Sequence, residues 1–116
     1  MASIPVYDWL AHHADAVGSK TAVVDLASGR AFCWADFNER TGRLAGFLRN
    51  NLDVKRGDRV GILMPNSSDV LEIQFACTKI GAVFLPLNWR LTVPELSFIA
   101  SDAEPTVLIC GPAFKE

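Results

Sequence analysis

From Arg59 onward, short unbroken apolar runs alternate with longer segments of helical period, and this order constrains the fold most. Residues 60–64 form a continuous apolar run, consistent with a strand covered on both faces. Pro65 and Asn66 break it, and a helix is expected from the Ser68–Asp69 step to about Ile80, closed by Gly81. Asp69 and Glu72 have the spacing of a capping box at its start. A second strand follows over residues 83–87, with Pro86 pushing it toward a sheet edge or a strand end. "TVPEL" opens the next helix, with Thr92 as N-cap, Pro94 in the first turn and Glu95 at N3; its end falls near Ser101. Residues 106–110 give a third strand. A β-α-β-α-β order with short connections winds onto a parallel sheet, so the fold class is α/β.

The preceding residues add a helix, a β-hairpin and a second helix. Val6, Trp9, Leu10, His13 and Val17 share one helical stripe, with Gly18 as its stop. "TAVVDL" and "RAFCW" read as hairpin strands around "ASG", where Gly29 supplies a positive φ. Residues 35–50 place Phe37, Thr41, Leu44, Ala45 and Leu48 on one face. Gly42 and Gly46 make a G-x-x-x-G whose expected use is close packing against a neighbouring element.

Half of the residues are hydrophobic and 21% are charged, which places the chain among globular domains. A net charge of −2 gives no electrostatic case for nucleic acid. Arg40, Arg43, Arg49, Lys55, Arg56 and Arg59 are interleaved with Asp36, Glu39, Asp53 and Asp58, which reads as a mixed solvated face rather than an anion patch. Cys33, Cys77 and Cys110 are widely spaced in apolar surroundings, the pattern of reduced, buried thiols. No signal peptide is visible at the N-terminus, and the charge-free run 80–89 is ten residues long, half of a membrane span. A cytoplasmic protein with no transmembrane segment is expected.

Chemical motifs are scarce. His12 and His13 are adjacent, so on a helix they point about 100° apart and cannot chelate one metal as an i, i+4 pair can. No serine has nucleophile-elbow spacing, and the glycines are scattered rather than clustered as a phosphate cradle requires. Asp36 with Glu39, and Asp69 with Glu72, lie in helix first turns where capping accounts for them. The most site-like stretch is Asn66-Ser67-Ser68, between a strand end and a helix start, where open α/β sheets bind ligands; a capped turn is the competing reading. Arg90 is a possible anion contact, set against a structural ion pair.

From "GDRVGILMPNSSDVLEIQFACTKIGAVFLPLNWRL" to "DAEPTVLI", the chain closely resembles the N-terminal part of the adenylate-forming ligases, in particular the acyl-CoA synthetase and fatty-acid ligase branch. "RAFCWADFNERTGRLAGFL" resembles that family's early Leu-Thr-Tyr-x-Glu-Leu motif, with Cys33 and Trp34 at the Thr and Tyr positions. "TKIGAVFLPLN" is similar to its Lys-x-Gly-x-x-x-x-Pro motif. If the family's Thr is a helix N-cap, Cys33 is a poorer one, by about 1 kcal/mol.

The resemblance implies that residues 1–116 are an N-terminal fragment of an acyl-activating domain, without a complete catalytic domain. The parent enzyme would use ATP, Mg and coenzyme A to convert a carboxylic acid, expected to be a fatty acid, into an acyl-adenylate and then a thioester. The family's phosphate-binding Pro-Lys-Gly loop, ribose-binding acid, hinge and catalytic lysine are absent before Glu116, so no catalytic, cofactor-binding or metal-binding residue carries over. The fragment alone is expected to be inactive and to bind no cofactor. With its last strand and helix uncovered, it is also expected to self-associate as a dimer or larger. The alternative is a free-standing, non-catalytic α/β binding module. The ligase requires a Gly-rich loop ending in Pro-Lys-Gly beyond Glu116, whereas the module requires a natural stop there.

Overall fold

The computed structural model describes residues 7–112. Helix α1 (Trp9–Val17) is followed by β1 (Thr21–Val24) and β2 (Ala31–Cys33), an antiparallel hairpin, and then by the long helix α2 (Trp34–Asn50). The wound part comprises β3 (Arg59–Leu63), α3 (Ser68–Ile80), β4 (Val83–Pro86), α4 (Val93–Ala103) and β5 (Val107–Cys110). Its sheet is parallel with order β4-β3-β5, so the chain leaves β3 for one edge and returns past it to the other. The α/β class and the β-α-β-α-β order agree with the sequence reading. Val6, placed on the first helical stripe, lies outside the described residues.

Central position explains the unbroken apolar run in β3. Val60, Gly61 and Ile62 are all buried because β3 has a strand on each side and side chains on both faces. On one face, Val60 and Ile62 meet Ala45 and Leu48 of α2 and Ile73, Ala76 and Cys77 of α3, with Val54 closing the cluster. Truncating a fully enclosed side chain such as Leu48 typically costs about 2–5 kcal/mol. The expected α2 stripe is the buried one: Phe37, Thr41, Ala45 and Leu48 are enclosed and Leu44 is half-buried.

The other face of the sheet is less covered. Helix α4 buries none of its residues, and Val93, Phe98 and the β5 residue Leu108 are exposed. Pro86 ends β4, an edge strand, as its missing N–H demands.

Helix ends follow local chemistry in most places. Gly81 closes α3 at φ 73 and donates to the carbonyls of Cys77 and Thr78. Thr92 caps α4 by accepting the Glu95 N–H, and its hydroxyl donates to Glu95 Oε1 at 2.9 Å. Gly29 has the positive φ expected at the hairpin turn. Gly18 differs: it keeps a right-handed helical conformation, and its carbonyl accepts the Ala35 N–H at 3.0 Å. Cys33 occupies the N-cap of α2 without a side-chain hydrogen bond. Main-chain carbonyls of Lys20 and Gly18 take the Trp34 and Ala35 donors instead. Helix α4 extends past Ser101 to Ala103, where Glu104 at φ 49 provides a left-handed end.

Two expectations are corrected. The Asp69–Glu72 capping box does not form: the N-cap of α3 is Ser67, and both acids are held by arginines from elsewhere. Gly42 and Gly46 do not mediate close packing, since a Cβ at either would meet no atom within 4 Å among the described residues. A glycine at an open helical position costs backbone entropy without compensation. Gly42→Ala should therefore stabilise the chain by about 1 kcal/mol in urea unfolding; a neutral or destabilising result would mean that its Cβ does meet an obstacle.

Candidate functional site

The turn from β3 into α3 is built around a carboxylate that arrives from the hairpin. Asp25 follows β1, and its side chain is only 7% exposed. Its Oδ1 accepts the N–H groups of Ala27 and Ser28 at 3.1 and 3.2 Å, which shapes the hairpin turn. Its Oδ2 accepts both the N–H and the hydroxyl of Ser68, each at 3.1 Å, which caps α3 from outside its own segment. These donors hold the Asp25 carboxyl down at about 2, the Ser68 N–H contributing most and the Ser28 N–H next.

Two arginines extend the joint. Arg30 donates to Ser68 Oγ and to Asp69 Oδ1, each at 3.0 Å, and the Asp69 hydrogen bond raises its pKa. Arg40 of α2 donates to Glu72 Oε1 at 3.0 Å. Both guanidinium groups lie over the Phe32 ring, at 5.9 and 4.7 Å from its centroid, so one aromatic ring supports two cations that reach α3. At the far end of α3, Lys79 binds Asp8 at 2.8 Å and Asn38 at 2.6 Å. Burial pushes the Asp8 carboxyl up, but Lys79 and the Ala11 N–H outweigh it and the net shift is downward.

This arrangement is one that positions α3 against the hairpin. A carboxylate titrating near 2 is too weak a base to activate the Ser68 hydroxyl that donates to it. Asn66 and Ser67 line a cavity of about 360 Å³ with Val23, Val24, Leu26 and Leu71, floored by the same joint. Cys77 is buried, and desolvation pushes its thiol up to about 11, so it is no thiolate nucleophile. All three cysteines are free.

The remaining candidates do not converge on this turn. His13 packs against Trp34 with ring centroids 4.7 Å apart, whereas His12 is exposed and hydrogen-bonds the Tyr7 hydroxyl through Nδ1 at 3.0 Å. Among the described residues, no three of His, Cys, Asp and Glu gather closely enough to hold a metal ion. Arg90 is exposed and lies over the Trp89 ring at 4.9 Å; no ion pair engages it among the described residues, which corrects the structural pairing weighed for it. Glu39 pairs with Arg43 rather than capping α2. Sequence reasoning missed Asp25 and Phe32 altogether: Asp25 meets Ser68 from forty-three residues away, and Phe32 matters through two arginines whose carboxylate partners, Asp69 and Glu72, lie across the fold.

Comparison with known proteins then gives the family. A profile described as AMP-binding enzyme matches residues 10–116. The chain belongs to that family. It is 47% identical over 88 residues to a feruloyl-CoA synthase from Amycolatopsis sp., covering 76% of this chain and 18% of that protein. It is 39% identical over 90 residues to the long-chain-fatty-acid–CoA ligase FadD13 of Mycobacterium tuberculosis, covering 78% of this chain and 18% of that one. Among solved structures, the inhibitor-bound N-terminal domain of FACL13 from Mycobacterium tuberculosis superposes with a TM-score of 0.88 at 34% identity. That match covers 94% of this chain and 27% of the other. The chain thus spans about a fifth of the length of the curated relatives it matches. Relatives that are adenylate-forming ligases, and an α/β fold shared with the FACL13 N-terminal domain, agree with the resemblance read from the sequence.

The joint makes a prediction about acid. Asp25 titrates lower when folded than its ordinary value of 3.8, so its stabilising contribution is complete above 3.8 and is lost as pH falls toward about 2. Asp25→Asn should lower the unfolding midpoint at pH 7, and its deficit against the parent should shrink over that acid window. A constant deficit from pH 7 to pH 2 would rule out the carboxylate as the source.

Proposed function

We propose that residues 1–116 form the N-terminal part of the acyl-activating domain of an AMP-forming acid–thiol ligase. Support comes from the family match over residues 10–116, which runs through both recognised segments in order. In the complete enzyme, a substrate carboxylate attacks the α-phosphorus of ATP and releases pyrophosphate. A thiol, here assigned to coenzyme A, then displaces AMP from the acyl-adenylate. The named relatives are a feruloyl-CoA synthase and a long-chain-fatty-acid–CoA ligase, which supports a carboxylic acid with an apolar body as substrate class, a fatty acid being our reading.

The described residues do not fit ATP or Mg. Asp25, Asp69 and Glu72, the acids around the turn that follows β3, are engaged by Ser68, Arg30 and Arg40, and no clustered-glycine loop follows a strand. No step is therefore assigned to these side chains. Their part is to hold the first three strands of the sheet in register. Among the described residues, no helix is long and apolar enough to cross a membrane. We assign the protein to the cytoplasm, in keeping with three free thiols.

The 116-residue chain should show no ATP–pyrophosphate exchange, whereas the reading frame extended beyond Glu116 should support it with an apolar carboxylic acid. Exchange by the short chain alone would overturn the assignment of chemistry to later residues. The uncovered β5 edge and the apolar side chains Val93, Phe98 and Leu108 should also drive the short chain to dimerise or assemble further. Light scattering at tens of micromolar checks this, and a monodisperse monomer would contradict it.

A further inference from the structure

At the opposite end of the helical layer from the Asp25 joint, the last turns of α2 and α3 and the loop into β3 enclose a cleft of about 470 Å³. Arg49, Asp53, Val54, Lys55, Arg56 and Lys79 line it. Such a volume lies within the range of small-ligand sites. Its shape is set by backbone. Asp53, at φ 54, turns the chain back after α2, and the Gly57 N–H donates to the Gly81 carbonyl at 2.9 Å, tying the loop to the end of α3. The Arg56 methylenes lie over Gly81, with Cγ 3.0 Å from where a Cβ would stand, so a larger residue would displace that arm.

Two guanidinium groups in this cleft are left without an ion pair among the described residues. Arg30, Arg40 and Arg43 each meet a carboxylate, but no ion pair engages Arg49 or Arg56 among the described residues. Asp53 lies 3.7 Å from Lys55 and Asp8 lies 2.8 Å from Lys79, which offsets those two cations. The Asp58 carboxylate, which accepts the Lys55 N–H at 2.8 Å, and the carboxyl ends of α2 and α3, about half a negative charge each, weigh against the two remaining cations. What the cleft offers an anion is therefore a pair of guanidinium groups without ion-pair partners rather than a net positive charge. Guanidinium forks match tetrahedral oxyanions in pairs of parallel hydrogen bonds, which ammonium groups do not.

We propose that this cleft binds a small, soluble phosphate-class oxyanion, held by Arg49 and Arg56 with Lys55 at its rim. The site does not depend on the ligase reaction and lies at the amino-terminal end of the strands, away from the turn at Asn66–Ser68.

The test is titration of the 116-residue chain with inorganic pyrophosphate at low ionic strength, followed by backbone amide NMR. The expected result is saturable shifts confined to residues 49–57 and 79–81. Arg49→Gln/Arg56→Gln removes both guanidinium groups and should weaken binding by at least about tenfold, the worth of a single charge-assisted hydrogen bond. Arg43→Gln, which removes an exposed arginine already paired with Glu39, should leave affinity unchanged. The amide spectrum of each variant reports whether it remains folded, and Arg49→Lys/Arg56→Lys keeps the charge while losing the forks. Absence of saturation by roughly 10 mM pyrophosphate would overturn the proposal. So would shifts scattered over all basic residues, or equal affinity in the double glutamine variant, either of which would reduce these arginines to helix-end charges.

Discussion

One carboxylate connects the two halves of this molecule. The first turn of α3 has N–H groups that no residue of its own helix can satisfy. Asp25 supplies the missing acceptor from a hairpin forty-three residues earlier in the chain, and spends its other oxygen on the hairpin's own turn. The same group therefore fixes the geometry of β1–β2 and the starting point of α3. Since α3 packs on β3 and leads directly into β4, the register of the parallel sheet inherits that placement.

The joint continues as a polar seam along α3. Asp69, Glu72 and Lys79 lie on one side of the helix and meet Arg30, Arg40 and Asp8. Ile73, Ala76 and Cys77 turn into the apolar cluster. Exposed pairs of this kind contribute little each, at most about 1 kcal/mol. Glu72 is well covered, however, and an unpaired carboxylate there would be costly. The seam contributes specificity to a contact whose energy is mainly apolar: it selects one rotation and one height for α3 against α2.

Local signals were legible in the sequence, and distant ones were not. Apolar runs and helical stripes placed every element to within a few residues, since periodicity, Gly81 and Thr92 act on their own neighbours. The capping box at Asp69 and Glu72 failed because its spacing is equally that of two acids facing outward-reaching arginines, and nothing local distinguishes the two. The small-residue pair in α2 failed for a related reason: a G-x-x-x-G permits close approach without requiring it. At the turn 66–68, the sequence showed where a ligand site would lie in an open sheet. Only the fold shows that Ser68 is already engaged by Asp25 and Arg30.

The proline that ends β4 has a further consequence for how the sheet can grow. Val83 and Leu87 direct their N–H groups toward β3, so by alternation the residue at 86 faces outward, where proline has no donor to offer. The outer side of β4 thereby lacks a donor at its end, while among the described residues no strand pairs with β5 on its outer side. A strand added to this sheet would meet the proline at β4 and no such obstacle at β5. Two copies meeting there would place a proline-ended strand at each outer rim of the joined sheet.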